Sequence, residues 1–396
     1  MRISTQQIHQ QAVAGMQRQQ LELSRTQAQL ASGEKLASAA DDPTAYALKM
    51  SLDDGIAQVQ SYQRNAGLLG DRLALTESVV AEMEDSVARI RELAVQAGGV
   101  ALNDTDRAAI ALEIRQQRDN LLALANSSDG QGRYLFAGTS DQSAAFSEAG
   151  GTIRYDGNQG QRELRIDSHQ SVAENLSGDQ LLMRIPAGAD GFDLDFDQGN
   201  SGSLQISSAA ASGALIGGQY SIRFAAGSYQ LEDAAGQVLG GAAYVEGEPI
   251  SVAGVTLRLQ GVPADGDQIQ LAVGGAGQSL FASIDALAHA LEQPHTDAAA
   301  AAQSKNLAYT AQRSLQTGHE HLIDQRSALG SRMATVEAVV SRQEAASLQL
   351  QETRSGVADL DLTAAISQMQ LQVSALEVAQ QSFLRVQNLS LFRLLG

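Results

Sequence analysis

Two histidines, His319 and His321, are the residues whose types first suggest metal chemistry. Imidazole nitrogens bind zinc and related ions, but two ligands on a helix must share a face. Residues two apart on a helix point in different directions, and no HExxH sequence accompanies this pair. The pattern therefore favours a solvated helix surface over a metal site.

Four aspartates lie close together in the middle of the chain and could offer oxygens to a hard cation such as calcium. The segment lacks the EF-hand ligand order and the bidentate glutamate that ends such a loop. A solvated acidic turn is the favoured interpretation. A metal- or glycan-binding module, or a hydrolase, stays open as an alternative for this region. The four residues are Asp190, Asp193, Asp195 and Asp197.

Other catalytic patterns are absent from the sequence. Residues 274–277 read GGAG, without the Lys-Ser/Thr ending of a phosphate loop or the GxGxxG register, and there is no GxSxG elbow. The chain has no cysteine, which excludes disulfides, thiolate catalysis and cysteine metal sites. We therefore expect no enzyme activity, no cofactor and no bound metal.

Composition restricts the possible partners of the chain. The net charge of −18 over 396 residues repels nucleic acid, whose binding depends on basic residues that meet phosphates. No apolar stretch approaches the roughly 18 residues of a membrane span. Residues 1–20 contain no apolar block, so a cleaved secretory signal is not expected.

The composition changes twice along the chain. The first 140 residues contain one proline, Pro43, the middle holds most of the 37 glycines, and the end is rich in Ala and Gln. This predicts an α+β fold, in which both chain ends form a long antiparallel helical bundle and a mainly antiparallel β domain is inserted. The predicted divisions are an N-terminal assembly helix (1–40), the first half of the bundle (41–140), the β-rich domain (141–280), the second half of the bundle (281–356) and a C-terminal assembly helix (357–396).

Apolar residues spaced three and four apart predict long helices with one buried face. Asp42 followed by Pro43 predicts that one helix ends before Ala40 and that another begins at Pro43. A polar break at 103–106 precedes a third helix. The longest stripe comprises Ala66, Leu69, Leu73, Thr76, Val80, Met83, Val87, Ile90 and Ala94.

The glycine-rich middle contains short alternating runs that predict strands. Four of them lie at 220–224, 228–231, 255–259 and 268–271. Asp156-Gly157 predicts a hairpin turn between runs at 153–155 and 164–166. The segment 199–218 is rich in Ser, Ala and Gly, and is expected to be a loose loop.

The last helix is apolar on several sides, since Leu371 and Val378 lie on a different face from its main stripe. Such a helix should be buried on several sides. One antiparallel partner covers only part of it, so we expect neighbouring subunits to cover the rest and both chain ends to be labile in the monomer. The predicted assembly interface comprises Val13, Met16, Leu23, Leu30, Leu362, Ile366, Met369, Val373, Leu376, Phe383, Val386, Leu389, Leu391, Phe392 and Leu394.

Four segments resemble the flagellin family of bacterial flagella. They are MRIST at 1–5, QLASGEKL at 29–36 with DDPTA at 41–45, GRYLFAGT at 132–139 and VQNLSLFRLLG at 386–396. The last segment looks like the ending of the hook–filament junction proteins more than that of filament flagellins. One departure is Ala37, which stands where the family usually has Asn.

The resemblance implies a structural subunit of the junction ring between the hook-associated proteins and the flagellin filament, with a filament flagellin as the alternative. Its helical ends would line the tube wall and its β domain would face outward. The implied partners are copies of itself in a ring, the first hook-associated protein, flagellin, and a cytoplasmic export chaperone that holds the C-terminal region. The resemblance also implies type III export to the extracellular flagellum without a cleaved signal peptide.

Overall fold

The computed structural model describes residues 5–99, 102–186, 191–275 and 277–395. For residues 5, 6, 8, 9, 99 and 386–395 it describes the backbone alone. The chain divides into two compact units. The terminal unit comprises Met1–Arg64 and Val339–Gly396, and the middle unit comprises Asn65–Ala338. The helices are α1 Thr5–Ser32, α2 Pro43–Gly99, α3 Asp104–Ala125, α4 Leu280–Glu292, α5 Ala298–Ala358 and α6 Leu362–Leu395.

The end of α1 and the start of α2 fall where the sequence predicts them. α1 ends at Ser32 and α2 begins at Pro43. The carboxylate of Asp42 accepts hydrogen bonds from the backbone N–H groups of Thr44 and Ala45, both at 3.0 Å. These bonds satisfy N–H groups that have no partner within the helix, so Asp42 caps α2.

In the terminal unit, α1 and α6 pack against each other in antiparallel orientation. A short β-bridge joins them where α1 ends and α6 begins. The Lys35 N–H donates to the Ala358 carbonyl at 2.7 Å, and the Leu360 N–H donates to the Gly33 carbonyl at 3.0 Å. Gly33 has φ +73°, a left-handed conformation that favours glycine as the residue after a helix.

In the middle unit, α2 and α5 run antiparallel and bury the predicted apolar stripe. All nine residues from Ala66 to Ala94 in that stripe are at most 2% exposed. Side chains also tie the two helices together: Gln312 donates to the Ala94 carbonyl at 2.8 Å, and Arg326 donates to Glu77 at 2.6 Å. α3 packs on α4 beside them.

The strands of the middle unit pair only in antiparallel fashion within the described ranges. One sheet has five strands in the order β5-β12-β7-β8-β9, another has the order β10-β11-β6, and β1-β2 and β3-β4 are separate hairpins. The strands are β1 Phe146–Ala149, β2 Thr152–Tyr155, β3 Glu163–Asp167, β4 Gln170–Ala173, β5 Phe192–Phe196, β6 Gln205–Ala211, β7 Gly218–Ala225, β8 Ser228–Asp233, β9 Val238–Ala243, β10 Pro249–Val252, β11 Val255–Gln260 and β12 Gln268–Val273.

The two larger sheets share one apolar core, to which Phe192, Phe224, Leu257 and Ile269 contribute fully buried side chains. The α+β prediction, with helical chain ends and an inserted antiparallel β region, is confirmed. The four predicted strands correspond to β7, β8, β11 and β12.

The predicted hairpin at Asp156-Gly157 is wrong. β2 pairs with β1, and β3 pairs with β4, so the residues on the two sides of Asp156 do not pair with each other. The turn lies instead at Gly150-Gly151, which have φ +62° and +78°. A two-residue hairpin turn of the type that matches strand twist requires positive φ at both central residues, and glycine adopts it without strain.

The expected loose loop at 199–218 is also wrong, because it contains strand β6. The edge of β6 away from β11 is held by α5. The Ile206 N–H donates to the Asn306 side chain at 2.9 Å, and the Ala209 N–H donates to the Tyr309 hydroxyl at 3.0 Å. Partners about 100 residues away stabilise this strand, so its own Ser- and Ala-rich sequence gives little sign of it.

Candidate assembly surface

The contact between α1 and α6 follows a heptad pattern. On each helix, buried and half-buried residues recur at alternating spacings of three and four, the spacing of side chains that pack between two helices. We call these residues the seam. The seam comprises Ala12, Met16, Gln19, Leu23, Thr26 and Leu30 of α1, and Ala365, Met369, Gln372, Leu376, Ala379 and Phe383 of α6.

Each helix places one glutamine in the seam. The side-chain oxygens of Gln19 and Gln372 are buried and have no hydrogen-bond partner in the described part of the chain. A buried polar atom without a partner costs about 1–3 kcal/mol, and polar seam residues set the register at the expense of stability. The two buried glutamines therefore lower the stability of the contact between α1 and α6.

The seam divides the predicted interface residues into two groups. Six of them lie in the seam: Met16, Leu23, Leu30, Met369, Leu376 and Phe383. Four others, Val13, Leu362, Ile366 and Val373, are exposed. The side chains of Val386, Leu389, Leu391, Phe392 and Leu394 lie outside the described residues.

A second apolar surface lies on α6 away from the seam. Leu371 is 73% exposed and Val378 is 63% exposed, and their spacing of seven places them on one side of the helix. Leu384 is exposed as well. We call these three residues the outer face of α6. Leu21 of α1 is also largely exposed and was not predicted as an interface residue.

Opposite charges converge where α1 and α6 meet, and we call them the clasp. The Glu34 carboxylate accepts from Lys49 at 2.5 Å and from Arg354 at 2.7 Å. Arg354 also donates to Asp53 at 2.6 Å and lies 3.5 Å from Asp359. Two members of the clasp, Glu34 and Asp359, are the residues paired in the β-bridge between the two helices. The clasp was not predicted, because its members are scattered along the chain at no periodic spacing.

The clasp makes the stability of the terminal unit depend on pH. The hydrogen bond from Lys49 lowers the pKa of Glu34 below its ordinary value of 4.5; partial burial opposes this effect and Arg354 reinforces it. The folded chain therefore binds the Glu34 proton less tightly than the unfolded chain does. The stabilisation is present above about pH 4.5 and is lost as the pH falls below that value.

We expect Glu34→Gln to weaken the β-bridge by about 1 kcal/mol at neutral pH, the upper range for a partly exposed ion pair. Hydrogen exchange at the backbone N–H groups of Lys35 and Leu360 measures this opening directly. Glu352→Gln, an exposed glutamate on the helix that carries Arg354, is the matched control. Unchanged exchange at both N–H groups in the Glu34 variant would contradict a stabilising role for the clasp.

The histidine pair does not share a ligand-binding face. His321 Nε2 lies 2.9 Å from the Gln180 carbonyl, whereas His319 Nδ1 is buried without a partner in the described structure. Burial and the neighbouring Arg91 lower the pKa of His319. No group of three or more His, Cys, Asp or Glu among the described residues is arranged to hold a metal ion.

The acidic cluster lies partly on strand β5. Asp193 and Asp195 alternate there with the buried residues Phe192 and Leu194, while Asp190 lies outside the described residues. Burial raises the pKa of Asp193, and the nearby Arg313 opposes this effect. Asp193 and Asp195 line a groove of about 470 Å³ on the surface of the five-stranded sheet. Asp233 lines the same groove, but the aspartates there are not arranged to hold a metal ion, so the groove gives no specific support to the calcium, glycan or hydrolase alternative.

Comparisons with known proteins agree with the helical ends and the inserted β region. A model of the bacterial flagellin N-terminal helical region matches residues 3–141. Flagellar hook-associated protein 3 of Escherichia coli K12 is 26% identical over 395 residues, which cover 100% of this chain and 99% of that protein. The crystal structure of Xanthomonas campestris FlgL is 33% identical, with a TM-score of 0.70, and the match covers 77% of this chain and 99% of that one. The chain belongs to the flagellar hook-associated protein 3 family.

Filament proteins are more distant from this chain than members of the hook-associated protein 3 family. The flagellar filament 41 kDa core protein of Borreliella burgdorferi is 27% identical over 168 residues, 42% of this chain and 48% of that protein. The relatives are flagellar structural proteins. Across the described ranges, no helix is both long enough and apolar enough to cross a bilayer.

Proposed function

We propose that the chain is a non-catalytic structural subunit of the ring that joins the hook-associated proteins to the flagellin filament. The observation that carries this proposal is the apolar surface left exposed on α1 and α6 after these two helices have packed together. Leu371, Val378 and Leu384 are exposed on one helix. Several large apolar side chains exposed on one helix are typical of a protein that binds other chains.

The seam and the outer face have different roles in this proposal. The seam holds α1 against α6 within one copy. The side-chain oxygens of Gln19 and Gln372, which have no partner among the described residues, limit the stability of that contact. The outer face, together with Val13, Leu362, Ile366 and Val373, packs against neighbouring copies in the ring, the first hook-associated protein and flagellin. The assembly helices at 1–40 and 357–396 form the wall of the tube, and the β-rich part faces outward.

The same apolar surface explains why the subunit needs a partner before assembly. Left free in the cytoplasm, exposed leucine and valine side chains promote aggregation. We propose that a cytoplasmic export chaperone covers the C-terminal region, including Val386, Leu389, Leu391, Phe392 and Leu394, until export. The chain then leaves the cell through the flagellar type III channel without a cleaved signal peptide, and ends in the extracellular flagellum.

Copy number and position distinguish the junction subunit from a filament flagellin. Quantitative mass spectrometry of purified flagella is expected to find this chain as a minor component, with many flagellin copies for each copy of it. Immunogold labelling of the β-rich part is expected at the boundary between hook and filament. Abundance equal to the bulk of the filament, with label along its length, would show that the chain is a filament flagellin instead.

A further inference from the structure

A cavity of about 370 Å³ lies in the middle unit, between the helices and strand β6. Its apolar wall includes Ile206, Leu287 and Leu291, from β6 and α4. Its polar residues include Arg107 of α3, His295 of the α4–α5 connection and Lys305 of α5. These residues come from distant parts of the sequence, which is why the sequence alone did not indicate the cavity.

The charge of this cavity is opposite to that of the whole chain. Arg107, His295 and Lys305 line it, and among the described residues that form its wall there is no Asp or Glu. The chain as a whole carries a net charge of −18. The neighbouring Asp104 is bonded to one Arg107 nitrogen at 2.7 Å and its side chain is largely exposed. The cavity thus combines a basic side with an apolar side.

Two of the basic residues that line the cavity have a buried nitrogen without a hydrogen-bond partner in the described structure. Arg107 is 94% buried, since its exposed fraction is 6%, and its Nε has no partner in the described structure. Its other guanidinium nitrogens donate to Asp104 and to the carbonyls of Leu102 and Gln293. His295 Nε2 is likewise buried without a partner. Buried polar atoms are nearly always paired, so these two nitrogens carry a free-energy cost, and an anion in the cavity would offset part of it by charge.

We propose that this cavity binds a small organic carboxylate with an apolar body. The carboxylate lies on the basic side, where the positive charges of Arg107 and Lys305 attract it and His295 is close by. The apolar body packs against Ile206, Leu287 and Leu291. Most small-molecule sites have this composition, an apolar lining with a few polar groups that fix the orientation of the ligand.

The titration of His295 provides an independent readout. Burial lowers the pKa of His295; Arg107 and Lys305 lower it further, whereas Asp104 raises it. A carboxylate bound beside the imidazole favours its protonated form and therefore raises this pKa. The chain has six histidines, so the His295 resonance is assigned by comparison with His295→Gln.

Octanoate is the probe that tests the site, added to the full chain and followed by calorimetry and by the NMR titration of His295. We expect saturable binding at one site per chain and a rise in the His295 pKa. Lys305→Gln is expected to weaken octanoate binding by about tenfold, the effect of losing one charge-assisted contact. Lys305 is exposed, so this variant keeps the fold.

Two controls isolate the basic side and the carboxylate. Lys35→Gln makes the same change at an exposed lysine of the terminal unit and is expected to leave octanoate binding unchanged. 1-Octanol, which has a similar apolar body and no charge, is expected to bind about tenfold more weakly. No saturable octanoate binding, equal binding of octanol, or full affinity in the Lys305 variant would each overturn the proposal.

Discussion

Replacing Leu371 and Val378 together by glutamate is expected to abolish filament attachment while the monomer stays folded. Both side chains are more than 60% exposed in the single chain, so the charges remain in water there. In the assembled ring, the same positions would be covered by neighbouring subunits, and a buried unpaired charge costs several kcal/mol at each site. Cells that carry the double variant are expected to be non-motile and to release flagellin into the medium.

A matched substitution separates loss of the interface from a general effect of charge. Leu112 of α3 is 70% exposed, close to the 73% of Leu371, and lies outside the two terminal helices. Leu112→Glu is expected to leave filaments and motility intact. Circular dichroism of the purified variants checks that both remain folded. Normal filaments on the Leu371/Val378 double variant would show that the outer face of α6 is not an assembly contact.

Deletion of residues 386–396 is expected to have an equally large effect. This segment carries Val386, Leu389, Leu391, Phe392 and Leu394, and nearly complete burial is needed to order such a short apolar stretch. Its removal takes away the apolar contacts that it would make with neighbours. We expect cells to secrete unattached flagellin, which is measured as flagellin in the culture medium and as bare hooks in electron micrographs.

The polar residues of the same segment provide the control for this deletion. Gln387→Ala with Asn388→Ala keeps every apolar side chain and is expected to retain filaments. Immunoblotting of the medium for the truncated subunit shows whether export still occurs. Normal filaments on cells with the deletion would contradict the proposed role of this segment.

The helices could be predicted because their signals are local. The stripe from Ala66 to Ala94 keeps its spacing from the middle of α2 almost to its end. Asp42-Pro43 marks a helix start through contacts within a few residues. Strand β6 could not be predicted in the same way. Its edge is held by Asn306 and Tyr309 of α5, and no feature of its own Ser- and Ala-rich sequence indicates that contact.

The assembly surface could be predicted only in outline. An α6 sequence that is apolar on several sides shows that several sides need partners, yet it does not tell which side α1 covers. The predicted interface residues of α6 therefore include both seam residues such as Met369 and exposed residues such as Ile366. The seam also includes Gln372, which a search for regularly spaced apolar residues does not select because its side chain is polar. The clasp between Glu34 and Arg354 joins residues 320 apart, which no local signal predicts.

Thiol labelling at position 371 tests directly whether neighbouring subunits cover the outer face of α6. The chain has no cysteine, so Leu371→Cys introduces a single thiol. We expect Leu371→Cys to react rapidly with a maleimide in the purified monomer and to be strongly protected in intact flagella. Leu112→Cys is expected to react equally fast in both. Equal labelling of Leu371→Cys in the monomer and in intact flagella would contradict the proposal that neighbouring subunits cover this face.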